Sequence, residues 1–355
     1  MARNIYNGQK IIMVAPHPNG KGGISRVIHL WQNAGFIFDF NIKLIASVEN
    51  NSNKLKVLIF ALFLFIRECA GKSRMVYIHT ASYNSFYRKS LFLLTSYVLR
   101  KKIILHIHPN YFYHFIKGFK GFKKILFFWL LRKVDIFIVL TEDMQQKIRS
   151  LFAGCPVHVL RNPVDIERMR CRKPIDREKN RFLFLGWFNR DKGVYDLVDA
   201  AELLSTEGEN FSIDFYGTKE IDKLKRYVST KGLNQIIKVN DWVGENQKKQ
   251  AFYRSAALIL PSHTEGIPNV ILEAMATKTP IISTLVGGLT EVLGQDKNAV
   301  IIEPRNSRDI ANKIKFVLHN RKYCQDLAEN AYREACEKYN LYEIKKQFQA
   351  ILASI

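Results

Sequence analysis

Strand-length apolar runs, each followed by a helical stretch, recur along the whole chain, and that alternation leaves few folds open. Residues 10–15, 75–79, 102–108 and 136–140 form a first series, and residues 181–185, 212–216, 236–240, 256–260, 280–283 and 299–302 a second. Continuous apolar runs separated by helices suit parallel sheets covered on both faces. Between the series, residues 167–180 are dense in charges of both signs and poor in apolar side chains, and read as a linker. At 355 residues the chain exceeds what one core usually fills. The expectation is an α/β chain of two doubly wound domains, residues 1–165 and 166–338. A closing helix follows within 339–355, capped by Asn340. Ligands of such sheets bind beyond the carboxyl ends of the strands, so a cleft between the domains is the expected site.

Charge is placed as unevenly as it is large. The net value is +22; residues 1–150 hold 23 Lys and Arg against 6 Asp and Glu, whereas residues 151–355 hold 31 against 26. A field of one sign over one domain implies an anionic partner. Two segments point to a membrane surface. Residues 54–72 enclose ten apolar residues between basic ends, about half the ~20 needed to span a bilayer. Residues 115–133 mix Lys117, Lys120, Lys123, Lys124, Arg132 and Lys133 with Phe115, Phe119, Phe122, Phe127, Phe128 and Trp129; as one helix they would lie in the headgroup layer. A core helix with a solvated basic face is the competing reading of each. Nucleic acid is not expected, because no helix-turn-helix, zinc finger or RNA-recognition signature accompanies the charge. Five cysteines without metal-ligand spacing read as reduced thiols. The first residues lack the pattern of a secretory signal, so a cytoplasmic protein is expected.

The chemistry concentrates in residues 262–276, Ser-His-Thr-Glu-Gly-Ile-Pro-Asn-Val-Ile-Leu-Glu-Ala-Met-Ala. A strand precedes this run and Pro268 suits the first turn of a helix. Free N–H groups of Asn269 and Val270 at a helix start favour an anion, a diphosphate above all. Glu265 in the loop and Glu273 in the helix flank that position, and carboxylates accept hydrogen bonds from sugar and ribose hydroxyls. A nucleotide-sugar fits. The run, with its internal Gly266-Ile-Pro268 and the downstream residues 279–292, resembles the signature of the retaining glycosyltransferases of family 4. That resemblance implies the two-Rossmann-domain architecture called GT-B, and a closing helix that returns to the first domain.

Further residues match the family one by one. Gly22 and Gly23, between a strand and a helix, resemble its first-domain Gly-Gly loop at the donor diphosphate, with Lys21 and Arg26 adding positive charge. Residues 186–193, Gly-Trp-Phe-Asn-Arg-Asp-Lys-Gly, resemble its Gly-Arg-x4-Lys-Gly segment, whose cations neutralise the diphosphate. Lys192 matches; Trp187 stands where the family has arginine, and Arg190 is the nearest guanidinium. His108 resembles the first-domain histidine near donor sugar and acceptor. His106 and His108 share a strand face, but no third ligand stands at matching spacing, so a structural His106 and no metal are expected. Residues 240–244, with Val243, resemble the stretch whose backbone faces the base, and Thr290 and Glu291 the loop over the nucleotide. The chain has no Asp-x-Asp, which argues against the metal-dependent single-domain transferases.

The resemblance thus implies a retaining, metal-independent glycosyltransferase without cofactor, moving a hexose or N-acetylhexosamine from a nucleotide diphosphate sugar, a UDP-sugar favoured. Glu265, His108, Lys192 and Arg190 would act at the reacting end, and Gly22, Gly23, Gly266, Asn269, Val270, Glu273 and Val243 would hold the nucleotide. The basic first half adds a lipid-linked saccharide acceptor, as in lipopolysaccharide or capsule synthesis, at the inner face of the cytoplasmic membrane. A nucleotide-sugar epimerase of the same fold and a non-catalytic basic binding protein remain as rivals.

Overall fold

The computed structural model describes residues 10–49, 53–71, 73–171 and 177–354. Lys72 and part of the stretch read as a linker, residues 172–176, lie outside the described residues. The chain divides into two compact units, residues 1–163 with 341–355, and residues 164–340.

In the first unit β1 (Ile11–Ala15), β2 (Ile42–Ala46), β3 (Met75–Thr80), β4 (Lys102–Ile107), β5 (Ile136–Val139) and β6 (Val157–Val159) form one parallel sheet in the order β2-β1-β3-β4-β5-β6. Strands β1, β3 and β5 are buried along their whole length, which is why their sequences are unbroken apolar runs. One face of the sheet carries an aromatic cluster built on Trp31, Phe36, Phe40 and Tyr77, completed by Phe348 of the last helix, Leu341–Ala353. Lys345 of that helix pairs with Asp39. The opposite face is covered by helices Lys54–Ala70, Asn84–Val98 and Gly121–Leu131.

The expected single helix over residues 115–133 is two helices, Phe112–Lys117 and Gly121–Leu131. The break falls at residues 118–120, ahead of Gly121 with φ +52, a conformation that glycine adopts at little cost. Phe115 and Phe119 are buried, and Phe127 and Phe128 pack partly against the core, leaving Phe122 and Trp129 exposed. Most of the rings expected in an acyl boundary are therefore core residues.

In the second unit β7 (Arg181–Phe188), β8 (Ser212–Lys219), β9 (Ile237–Asn240), β10 (Ala257–Leu260), β11 (Ile281–Thr284) and β12 (Val300–Ile302) run parallel in the order β12-β11-β10-β7-β8-β9. The stretch expected as a linker belongs to this unit where it is described. Tyr253 donates to Met169 O. The Arg177 guanidinium donates to the carbonyls of Phe252, Thr277 and Lys278, satisfying loop carbonyls that would otherwise be buried without partners. No described helix is long and apolar enough to cross a membrane.

Candidate functional site

The second-unit residues singled out by the sequence gather beyond the carboxyl ends of β7 and β10, and two glycines explain how. Gly186 suggested that β7 ends at Leu185, yet the strand continues to Phe188. Gly186 lies opposite Gly217, and a Cβ at Gly217 would fall 1.9 Å from Gly186 O, so the close strand pairing needs glycine there. Past β7 a single turn, Arg190–Lys192, is capped by Asn189, whose side chain accepts from Lys192 N. Gly193 ends the turn at φ +68, where a Cβ would sit 2.1 Å from Pro261 O. Its absence lets the turn lie on the loop after β10, and His263 N donates to Asp191 O at 2.8 Å.

That docking brings Lys192 to Glu265. The ammonium donates to Glu265 Oε1, which also accepts from Ser262 Oγ at 2.7 Å. Glu265 is only 8% exposed, so this partner matters: a buried carboxylate without one would be strongly unfavourable. Gly288 N donates to Glu265 O at 3.1 Å, and Thr290 closes the Gly287–Glu291 turn by donating to Gly287 O. Pro268 is the extended N-cap of helix Asn269–Ala276, one residue ahead of the first-turn position expected for it. Gly266, Asn269 and Val270 are half-buried, which leaves the amino end of the helix reachable from solvent. Glu273, in the second turn, is buried and pairs with Lys248 of helix Glu245–Arg254. Val243 is half-buried in the loop leading into that helix. Each carboxylate expected to hold a ligand hydroxyl is thus already held in place by a lysine.

Arg190 starts the same turn with its side chain exposed, and its charge acts on Glu220, which accepts from Tyr195 and Lys223. Sequence reasoning missed Lys219, at the end of β8, whose ammonium lies 3.5 Å from the Trp187 ring centroid. The signal was the cross-strand register, Phe188 opposite Lys219, which a single strand does not display. His263 was also passed over; its Nε2 lies 2.6 Å from Asp196 Oδ2.

In the first unit, Gly22 is the extended N-cap of helix Gly23–Asn33, after β1. His108 follows β4, is 8% exposed, and its Nε2 lies 2.9 Å from His79 Nδ1. His106 Nδ1 meets the Tyr77 hydroxyl at 2.7 Å. The expectation that His106 and His108 have no third companion fails, because β3 pairs with β4 in a register that sets His79 opposite His106. The three buried histidines each offer a ring nitrogen within 4.8 Å of the others. Burial pushes His79 and His106 well below the usual histidine range and His108 down to about 3, so all three are neutral at physiological pH.

Two family descriptions match, Glycosyltransferase Family 4 over residues 7–168 and Glycosyl transferases group 1 over residues 165–334. The chain belongs to the family 4 glycosyltransferases. Among curated relatives, it is 22% identical over 259 residues to the teichuronic acid biosynthesis glycosyltransferase TuaC of Bacillus subtilis, covering 68% of this chain and 62% of that one. It is 22% identical over 262 residues to the capsular polysaccharide biosynthesis glycosyltransferase CapM of Staphylococcus aureus, covering 66% of each. The match thus spans less than two thirds of these relatives' own length. Solved structures share the fold. HepE of Anabaena, in complex with UDP and glucose, superimposes with a TM-score of 0.77 at 16% identity over 98% of this chain and 100% of that one. Sucrose-phosphate synthase of Thermosynechococcus elongatus also has a TM-score of 0.77, at 15% identity over 98% of both chains. The architecture is GT-B.

Proposed function

We propose that the protein is a retaining, metal-independent glycosyltransferase that moves a hexosyl or N-acetylhexosaminyl group from a UDP-sugar to a lipid-linked saccharide during surface polysaccharide synthesis. The observation that carries the reading is the buried Lys192–Glu265 pair beside the solvent-accessible amino end of helix Asn269–Ala276. The names of TuaC and CapM support the polysaccharide context, and the UDP bound to HepE supports the donor base.

In this reading the helix amides of Asn269 and Val270 take the diphosphate, Glu273 the ribose and Glu265 the sugar hydroxyls, with Lys192 countering charge as the diphosphate departs. Gly266 and Val243 let backbone approach the nucleotide. The first unit serves the acceptor through His108, and its Gly22–Gly23 loop serves the donor diphosphate. His108 is neutral, so it serves as a hydrogen-bonding group rather than a cation. The leaving phosphate deprotonates the acceptor hydroxyl on the same face that it leaves, which retains the anomeric configuration.

Unit one also offers a surface for the lipid. Helix Lys54–Ala70 buries Ala61, Phe65 and Cys69, yet Leu55, Ile59, Phe60, Phe63 and Ile66 on its other side are all about half exposed or more. It packs on helix Asn84–Val98, which packs on Gly121–Leu131 with Phe122 and Ile125 exposed. Residues 51–134 contain 16 Lys and Arg and a single acid, Glu68. Bulky apolar side chains within such a basic field suit an anionic bilayer at the inner face of the cytoplasmic membrane.

Labelled UDP-sugars incubated with a lipid extract test the assignment. Label should pass to lipid with an unchanged anomeric configuration and with EDTA present. Altered free sugar without acceptor would mean an epimerase, and no nucleotide binding a non-catalytic protein. Sedimentation with phosphatidylglycerol vesicles should be lost in Phe60→Glu/Ile125→Glu; retention by that variant would refute the docking face.

A further inference from the structure

The family's diphosphate-binding arginine has no counterpart at Trp187, and the fold puts a different cation at that spot. Lys219 ends β8, one register position beyond the residue paired with Trp187, and its ammonium stands over the indole at 3.5 Å from the ring centroid. An ammonium on an indole face is held by the ring quadrupole, which fixes where a long, mobile side chain points. Among the described residues Lys219 is in no ion-pair contact, although the charges of Glu220 and Asp191 attract it from a distance. Lys192, its neighbour, is engaged with Glu265. Partial burial first, and then the like charge of Lys192, push Lys219 below the usual lysine range. Two ammonium groups close enough to repel, beside a site read as taking a diphosphate, are relieved when an anion binds.

The backbone supplies a second, independent observation. Lys219 has φ +79, a left-handed conformation that costs a residue with a Cβ on the order of 1–2 kcal/mol and glycine almost nothing. A lysine held there against its backbone preference is a candidate for a role of its side chain rather than of its fold.

Resting on the donor reading above, we infer that Lys219, steered by Trp187, supplies the positive charge on the donor diphosphate that the family takes from arginine. Trp187 is then a positioning residue: it aims the ammonium and does not itself meet the phosphates. Arg190, exposed and with its charge acting on Glu220, contributes less.

The test compares UDP with uridine by calorimetry on the full chain. Lys219→Met should weaken UDP by roughly 10- to 100-fold, the loss of one charge-assisted hydrogen bond, and leave uridine within about twofold. Lys219→Arg should keep most of the UDP affinity, and Arg190→Ala should lose less than Lys219→Met. Lys219→Gly separates binding from folding, because the melting temperature should hold or rise as strain is relieved while UDP affinity falls. UDP affinity unchanged in Lys219→Met, equal weakening of uridine, or a larger loss in Arg190→Ala would overturn the inference. A wild-type chain binding neither UDP, GDP nor ADP would overturn it together with the donor reading.

Discussion

Gly193→Ala should separate the docked loop from the site it serves. The position has φ +68, and a Cβ would lie 2.1 Å from Pro261 O, a contact relieved only by moving the turn about 1 Å off the loop after β10. Gly208 provides the matched control, since its φ is +75 and nothing lies within 4 Å of a Cβ there. Gly208→Ala therefore carries only the backbone term, about 1 kcal/mol. Gly193→Ala carries that term, the His263–Asp191 hydrogen bond at about 1 kcal/mol, and part of the ~3–5 kcal/mol that follows when a buried pair such as Lys192–Glu265 is broken. We expect about 4 kcal/mol against about 1 in urea unfolding. Turnover of the UDP-sugar should fall about 100-fold in Gly193→Ala, as a misplacement of this size allows, and stay unchanged in Gly208→Ala. Equal destabilisation of the two variants with full turnover in both would refute the claim that loop docking builds the site.

Two further outcomes are expected. The histidines His79, His106 and His108 are held neutral by burial in the folded chain. Unfolded, each takes up a proton below about pH 6.5, so the stability of the neutral state is fully present above 6.5 and lost as pH falls. Between pH 7 and 5 the loss approaches about 2 kcal/mol per histidine, read as a falling denaturation midpoint; a flat midpoint over that range would contradict it. Lys248→Met removes the lysine that pairs with buried Glu273 and should destabilise by roughly 3–5 kcal/mol, with Lys248→Met/Glu273→Gln recovering much of the loss; an additive double mutant would show that the pair is not coupled.

The sequence displayed most of what lies along a single element and little of what lies between elements. Runs such as Ile11–Ala15 announced their strands because both sheet faces bury them. β2 and β6 were not read, since they are edge strands, one carrying an exposed Lys43 and the other only three residues long. Glu265 and Glu273 stood out through their spacing to a helix start and Lys192 through its match to a family segment, whereas the pairing of each carboxylate with a lysine depends on tertiary docking at Gly193 and on the packing of helix Glu245–Arg254. His79 and Lys219 were invisible for the same reason: each acquires its partner through strand register. Residues 115–133 misled because aromatic side chains look alike whether a helix turns them to solvent or to a core.

The donor reading requires a nucleoside diphosphate at the amino end of helix Asn269–Ala276. Titrating UDP into the full chain while following assigned backbone amides by NMR locates the bound nucleotide. Saturable shifts centred on Gly266, Asn269 and Val270 are predicted. UDP binding that leaves those amides unmoved, or no binding at millimolar UDP, would contradict the account.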